Sequence, residues 1–143
     1  MLRVLSRAVA RAYPCAVRSA RRAATARAHR ELVERTKSLL STGYAEDLRL
    51  AEIARRVDAS PFHLSRVFRR AVGVTLHAYR DQLRLRTSLD RILDGCADLS
   101  GLAHDLGYSS HSHFSAAFGR LFGVTPSAAR ELTPRVLRER ARS

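Results

Sequence analysis

The stretch of sequence that decides the fold is residues 50–80, LAEIARRVDASPFHLSRVFRRAVGVTLHAYR, because the chain repeats it. The second version is residues 99–130, LSGLAHDLGYSSHSHFSAAFGRLFGVTPSAAR. The two align at an offset of 49 residues before the turn and 50 after it, where Phe68 matches Phe118 and Gly-Val-Thr follows in both. An internal repeat of about 50 residues indicates two similar structural units in tandem. We refer to them as unit one and unit two.

Each unit is predicted to form a helix, a short turn and a second helix. Asp58 and Gly107 fall in the turns, where the backbone often needs a positive φ that Gly accepts freely and Asp better than most residues. Ser60 and Pro61 then provide an N-cap and a proline at the first helical position. The second helix of unit one keeps its apolar residues on one face and leaves on the others His63, Ser65, Arg66, Arg69 and Arg70.

The exposed row of donors and cations in unit one is what a helix in the DNA major groove needs. The residues alone also allow a second interpretation, two ordinary helical hairpins with a solvated basic face. In the second helix of unit two, a buried apolar stripe is predicted for Phe114, Ala117, Phe118 and Leu121. The positions predicted to face DNA bases there are His111, Ser112, Ser115 and Ala116.

At these residues the chain resembles a known family, the DNA-binding domain of AraC/XylS-type bacterial transcription regulators. The resemblance covers about residues 48–130. It is carried by Gly107-Tyr108-Ser109, Phe114, Phe118 and Phe122-Gly123-Val124-Thr125-Pro126 in unit two, and by Ser60-Pro61, Leu64-Ser65-Arg66, Phe68 and Gly73 in unit one. It implies an all-α fold of two helix-turn-helix units with one recognition helix each, and a function in binding promoter DNA.

For unit one the resemblance implies that Phe62, Ser65 and Arg66 face the DNA bases. Arg66 is the strongest candidate, because a guanidinium fork matches O6 and N7 of guanine. Phe62 has two open interpretations: contact with a thymine methyl or sugar, or packing near the helix start. Contacts to phosphates, which position a protein without specifying sequence, are predicted for Arg69, Arg70, Arg120 and Thr125.

Unit two departs from the family pattern at Ala116, where many members carry Arg or another long polar residue. The departure removes a possible guanine contact, although Ala can touch a thymine methyl. Base reading by unit two is therefore in doubt at that point.

The two units are joined by residues 76–93, which contain no Gly or Pro and are predicted to form one helix capped by Thr75. Its residues make a rod of about 27 Å at about 1.5 Å per residue. Recognition helices joined by such a rod can enter successive major-groove segments about 34 Å apart, with DNA bending absorbing the difference. We expect about seven helices in a domain spanning residues 28–133, with helix-turn-helix units at about 48–72 and 99–122.

Residues 1–27 are predicted to form a basic arm or linker that is disordered. Residues 1–30 hold eight Arg and no acidic residue, and Pro14 is expected to break any continuous helix. A transit peptide has this composition, but the bacterial resemblance argues against it. Two interpretations remain equally open: an arm that adds phosphate affinity, and a remnant or linker without a role of its own.

A helix from about residue 28 to residue 40 is expected to support unit one. In this helix Glu31 and Arg35 are expected to pair across one helical turn. Asp47 is expected to cap or open the first helix of unit one, and Asp98 to cap that of unit two. The last residues, 134–143, are predicted to be an Arg-rich basic tail.

The composition makes a polyanion the default partner, because the net charge is +13 with 25 Arg and one Lys. No apolar stretch approaches the roughly 18 residues of a membrane span, so no membrane is expected as a partner. Cys15 and Cys96 lie far apart, and no metal-ligand spacing, Gly-rich phosphate loop or catalytic motif is visible. We therefore expect no metal, no cofactor and no enzymatic activity.

The sequence thus predicts a sequence-specific transcription regulator that acts on double-stranded promoter DNA, with RNA polymerase as a further partner, in the bacterial cytoplasm at the nucleoid. Its 143 residues leave no room for a small-molecule effector domain. The alternative is a sequence-independent basic nucleic-acid-binding protein, nucleoid-associated or RNA-binding. A third hypothesis, a helical module for protein partners, leaves the net charge unexplained.

Overall fold

The fold is entirely helical in the part of the chain that the structure describes. The structure is a computed structural model that describes the backbone of residues 2–132 and the side chains of residues 19–132. The helices are α1 (Leu2–Thr42), α2 (Leu50–Arg56), α3 (Pro61–Val72), α4 (Leu76–Leu93), α5 (Leu99–Asp105), α6 (His111–Phe122) and α7 (126–132). This confirms the predicted all-α fold with two helix-turn-helix pairs and a long linking helix. The predicted basic tail, residues 134–143, lies outside the described residues.

The same local chemistry begins and ends the second helix of each unit. The hydroxyls of Ser60 and Ser110 accept a hydrogen bond from the amide three residues later, at 3.3 and 3.1 Å, and so cap α3 and α6. Both helices end at a glycine in the left-handed region, Gly73 with φ 84° and Gly123 with φ 75°. The repeat in sequence is therefore a repeat in backbone conformation.

The turns between the paired helices adopt the positive φ that the sequence predicts. Asp58 has φ 57° and Gly107 has φ 78°. The predicted cap of α5 is also confirmed, because Asp98 accepts hydrogen bonds from the amides of residues 100 and 101. The first helix of unit one differs from the prediction. It begins at Leu50 after Arg49, which makes no side-chain cap, so Asp47 lies too early in the chain to cap it.

Each unit has its own hydrophobic core. The core of unit one joins α1, α2, α3 and the start of α4 around Leu64 and Phe68, which are fully buried. The core of unit two joins the end of α4 to α5 and α6 around Phe114 and Phe118. The predicted stripe of α6 is wrong at its last position, because Leu121 is 43% exposed. That position lies at the edge of the stripe, one turn beyond the residues that the core encloses.

The structural repeat extends to α1 and α4. This part of the repeat is not visible when the sequences of the two units are aligned. On α1 the core side is formed by Val33, Thr36 and Leu40, and on α4 by Leu85, Ser88 and Ile92, at a constant offset of 52 residues. Thr36 and Ser88 are both fully buried, and their hydroxyls donate to backbone carbonyls of their own helix at 2.7 and 2.6 Å. Each unit therefore packs its pair of short helices against a longer helix, and α4 contributes to both cores.

The N-terminal part of the chain differs from the predicted disordered arm. α1 begins at Leu2, so the predicted start near residue 28 and the predicted break at Pro14 are wrong. Composition accounts for the part of the helix after Pro14, because residues 15–30 are mostly Ala and Arg, which are strong helix formers. Since position 27 is helical, Glu31 pairs with Arg27 at 2.8 Å instead of with Arg35. Side chains 19–28 are exposed, so this extension has no core of its own.

Two buried arginines of α4 bind the loop before α2, and one of them also binds unit two. Arg80 and Arg84 are 8% and 7% exposed, and both donate to backbone carbonyls of the loop before α2. Arg84 Nε donates to the Tyr44 carbonyl at 2.6 Å, and Arg84 Nη1 donates to the Gly107 carbonyl of unit two at 3.3 Å. Burial lowers the pKa of the Arg84 guanidinium, and the neighbouring Arg80 lowers it further. This junction fixes how one unit sits against the other.

A second link between α4 and unit two is the hydrogen bond from the Tyr108 hydroxyl to the Asp81 carboxylate, at 2.6 Å. Burial, then this bond, raises the pKa of Tyr108 well above its ordinary value, so the phenol remains a donor. Within the described residues, no helix is long and apolar enough to cross a membrane.

Candidate nucleic-acid interface

The outward face of α3 presents a row of three long side chains. Phe62, Arg66 and Arg69 are spaced four and three residues apart, which places them on one side of the helix. Phe62 is 77% exposed, and Arg66 Cζ lies 5.7 Å from the centroid of its ring. The exposure of Phe62 is evidence against the interpretation that it packs near the helix start. The structure therefore brings together three of the residues predicted to contact DNA.

The remaining predicted residues of unit one lie on the flanks of this row. Ser65 is partly buried. Arg70 is exposed on the flank next to α1, where the His63 ring lies 5.4 Å from the ring of His29. Among the described residues, none of Arg66, Arg69 and Arg70 forms an ion pair. Three uncompensated cations on one helix make this face strongly attractive to a polyanion.

The corresponding row on α6 is built from small residues. At the offset of 50, the row of Phe62, Arg66 and Arg69 becomes Ser112, Ala116 and Gly119. Ser112 and Ala116 are exposed, as a base-facing position requires. The face is thus smooth and uncharged, and it permits a close approach of the helix backbone to a partner surface.

Ser115 does not present its hydroxyl at this face. Its Oγ is covered by protein and has no hydrogen-bond partner within the described part of the chain. Such a group costs free energy, because a buried donor without a partner loses its bond to water. A base contact by Ser115 requires another side-chain rotamer.

Three further predicted residues surround α6. His111 is exposed at the helix start, with its ring 6.4 Å from that of Phe114. Arg120 is exposed on the flank that corresponds to Arg70 of unit one. Thr125 is exposed, and its hydroxyl accepts from the amide of Ala128 at 3.2 Å, so it caps α7. Arg120 and Thr125 are thus open to solvent where a phosphate can reach them.

The sequence did not predict that arginines of α1 would lie beside α3. Arg21, Arg22 and Arg30 line a groove together with Arg66 and Arg70. The signal that could have found them is the helical spacing of α1, which continues the buried face of residues 33–40 back towards the N-terminus. Over the described side chains, no group of three His, Cys, Asp or Glu residues is arranged to hold a metal ion.

Comparison with known proteins agrees with this architecture. Residues 53–132 match a family model described as a helix-turn-helix domain. The HTH-type transcriptional regulator GlxA of Rhizobium meliloti is 36% identical over 92 residues, which cover 64% of this chain and 28% of GlxA. The chain spans about a third of the length of the curated relatives it matches.

Two solved structures show the same fold. A transcriptional regulator from Chromobacterium violaceum, described as containing an AraC-type DNA-binding domain, superposes with a TM-score of 0.69 at 25% identity, over 73% of this chain and 93% of that one. The DNA-binding domain of AdpA, in complex with a target DNA, superposes with a TM-score of 0.63 at 20% identity, over 70% and 90% of the two chains. With a family model that matches more than half of its residues and two helix-turn-helix units on one linking helix, the chain belongs to the AraC/XylS-type family of bacterial regulators.

Proposed function

We propose that this protein is a sequence-specific regulator of transcription that binds double-stranded promoter DNA through α3 and α6. The observation that carries the proposal is the outward row of α3, where Phe62, Arg66 and Arg69 are exposed together and have no acidic partner among the described residues. The description of GlxA as a transcriptional regulator and the complex of AdpA with a target DNA support it.

The two recognition helices have different roles in this proposal. Arg66 reads a guanine in the major groove through its forked donors, and Phe62 contacts a neighbouring thymine methyl or sugar. Arg69 lies in the same row and contacts a phosphate at the edge of the major groove. Arg70 also contacts the phosphate backbone. Unit one therefore supplies most of the base discrimination.

Unit two binds closely but discriminates less. Ser112 and Ala116 approach the base edges, where Ala116 contacts a thymine methyl and His111 donates near the helix start. Arg120 and the region of Thr125 contact phosphates on the flank of this half-site. The rod formed by α4, about 27 Å long, and the junction at Arg84 hold the two helices for successive major-groove segments.

RNA polymerase is a further partner in this proposal, and the site of action is the nucleoid of the bacterial cytoplasm. The family membership supports both, because its members regulate transcription. A specific observation also favours a second candidate function, sequence-independent binding of nucleic acid. The net charge of +13 and the small residues of α6 suit a protein that holds the phosphate backbone without reading bases.

Selection from a random duplex library tests the proposal, with the enriched pool measured by fluorescence anisotropy at two salt concentrations. Enrichment of a split motif whose halves lie about ten base pairs apart is the expected result, since successive major-groove segments are one helical turn apart. Tight binding that enriches no motif and weakens steeply with salt would contradict it and would favour the sequence-independent protein.

A further inference from the structure

A groove between α1 and α3 collects five arginines. Arg21, Arg22 and Arg30 of α1 lie on one side, and Arg66 and Arg70 of α3 lie on the other, around a volume of about 820 Å³. All five side chains are exposed. The groove thus joins the N-terminal extension of α1 to the helix proposed to read DNA.

The spacing of α1 explains why the extension lies beside α3. Leu40, Thr36 and Val33 are buried in the core of unit one, and steps of four and three residues continue the same face back to His29 and Arg22. His29 contacts His63 of α3 ring to ring. N-terminal to His29 this face of the helix meets no core, and it carries cations where a core would need apolar residues.

The positive charge of the groove favours an anionic ligand. No acidic residue lines it, and the first acidic residue in the chain is Glu31. None of the five guanidinium groups takes part in an ion pair with a described residue. Guanidinium groups match phosphate oxygens with two parallel hydrogen bonds, and so many like charges side by side are stabilised by such a ligand.

The uncharged lining of the groove suits a chain of phosphates. It includes the short side chains of Thr25, Ala26 and Ala71, together with Val67. Short residues among long cationic ones let a sugar-phosphate strand approach the helices while the arginines reach its oxygens. Its position beside α3 places such a strand next to the half-site that Arg66 would read.

Unit two carries no equivalent of this groove. At the offset of 52 that relates α1 to α4, Arg30 corresponds to Gln82, and the position of Arg22 falls at Val74, before α4 begins. At the offset of 50 that relates α3 to α6, Arg66 corresponds to Ala116, and only Arg70 has a basic counterpart in Arg120. The cationic groove is therefore an addition to unit one, not a property of the repeat.

We propose that the groove between α1 and α3 binds the DNA sugar-phosphate backbone that flanks the half-site of unit one. This inference rests on the proposed function. Arg21, Arg22 and Arg30 contact phosphates outside the major-groove segment, and Arg70 contacts the backbone from the other side. The contacts lengthen the footprint on the side of unit one and do not change which bases are preferred.

The test compares two double variants of the full chain that lose the same charge. Arg21→Gln/Arg22→Gln removes two groove arginines, and Arg27→Gln/Arg35→Gln removes two exposed arginines of α1 that do not line the groove. Gln is a good helix former, and far-UV circular dichroism checks that helix content is unchanged. Affinity is measured by anisotropy from 50 to 200 mM salt, on a duplex with long flanks and on one trimmed beside the half-site of unit one.

On the long duplex the groove variant should lower the salt slope by about 1.8, because each phosphate contact contributes roughly 0.9. The ratio of wild-type to variant affinity then falls about twelvefold between 50 and 200 mM salt, by the same relation. The control pair should keep the wild-type slope. On the trimmed duplex the two variants should bind alike, and Arg21→Lys/Arg22→Lys should restore the slope on the long one.

The inference is overturned if the groove pair and the control pair behave alike on the long duplex while the wild-type protein still prefers one motif. A wild-type protein that prefers no motif would instead overturn the proposed function. A groove variant that changes the preferred bases would also overturn the inference, since the groove would then act on the bases.

Discussion

Units one and two share a backbone and differ in the face that they present. α3 and α6 begin with a serine cap, end at a left-handed glycine and bury an equivalent phenylalanine, Phe68 or Phe118. Their outward rows have nothing in common, because two arginines and a phenylalanine in unit one become a serine, an alanine and a glycine in unit two. The residues that hold the fold are thus separate from the residues proposed to contact DNA.

This separation explains how the two units can share one fold without sharing a binding site. The buried face of each recognition helix is constrained by its core, whereas the outward row is constrained only by what it contacts. A cationic row attracts DNA from a distance and distinguishes bases. A row of small, uncharged side chains lets the helix enter the DNA major groove more deeply. The comparison is sharpened by variants that act on one unit and spare the other.

The largest effects are expected in the cores. Phe68→Ala and Phe118→Ala should each lower the free energy of unfolding by about 3–5 kcal/mol, because both side chains are fully buried. Urea unfolding followed by circular dichroism measures the loss. Phe62→Ala is the matched control, since that exposed ring should change stability by less than about 0.5 kcal/mol. If only one of the two core variants lowers the free energy of unfolding by this amount, the two cores are not equivalent.

The next largest effect is expected at the turns, which have the same conformation but different surroundings. A Cβ on Gly107 would lie 2.6 Å from the Ala45 carbonyl oxygen, and the backbone there is left-handed. Gly107→Ala should therefore cost more than about 2 kcal/mol of unfolding free energy, from the left-handed conformation and the clash together. Asp58→Ala, at the turn of unit one, should cost at most about 1 kcal/mol.

Thermal unfolding measures both turn variants, and binding to split and single half-sites gives a second measurement. Gly107→Ala should weaken binding to the split site more than to one half-site, because Gly107 lies at the junction with Arg84. Equal costs at the two turns would show that the junction is not rigid.

The helices of the repeat could be predicted from sequence because their signals are local. Ser60 and Thr75 cap helices where a hydroxyl precedes a helical pattern, and α4 has the predicted bounds. The extension of α1 is harder to predict, because Pro14 favours a helix break although a run of Ala and Arg follows it. The relation of α1 to α4 is also harder to predict, because Val33 and Leu85 play the same role without being identical.

The features that could not be predicted from the sequence depend on tertiary contacts. The sequence does not show that Arg84 is buried. Only its carbonyl partners in two distant segments reveal a buried junction. The same holds for Arg21 and Arg22, whose place in the groove depends on the packing of α1 on α3. At the candidate site the exposure of Arg66 followed from helical spacing, whereas Phe62 was predicted only from the resemblance to the family. The covered hydroxyl of Ser115 could not be predicted, because spacing does not specify a rotamer.

An exchange at one position tests the difference between the recognition helices. Arg66→Ala should lower affinity for the preferred site by about 1–3 kcal/mol and relax the preference at one or two base pairs. Ala116→Arg places the same fork at the equivalent point of α6 and should add a preference for guanine in the second half-site. Selection from a randomised duplex library, followed by anisotropy, measures both. An equal loss for Arg66→Ala on every sequence would show that Arg66 contacts only the backbone.

The smallest effect on stability and on DNA affinity is expected at Ser115. The direction of the change shows whether this side chain only packs within the protein or contacts a DNA base. Because its hydroxyl is covered and lacks a partner within the described residues, Ser115→Ala should leave stability unchanged or raise it by up to about 1 kcal/mol. DNA affinity should stay the same, and Ser65→Ala is the matched change in unit one. Chemical unfolding and anisotropy are measured on the same samples. A loss of affinity without a loss of stability would mean that the hydroxyl turns outward on DNA. Unit two would then read a base through Ser115, and the smoothness of α6 would belong to the free protein alone.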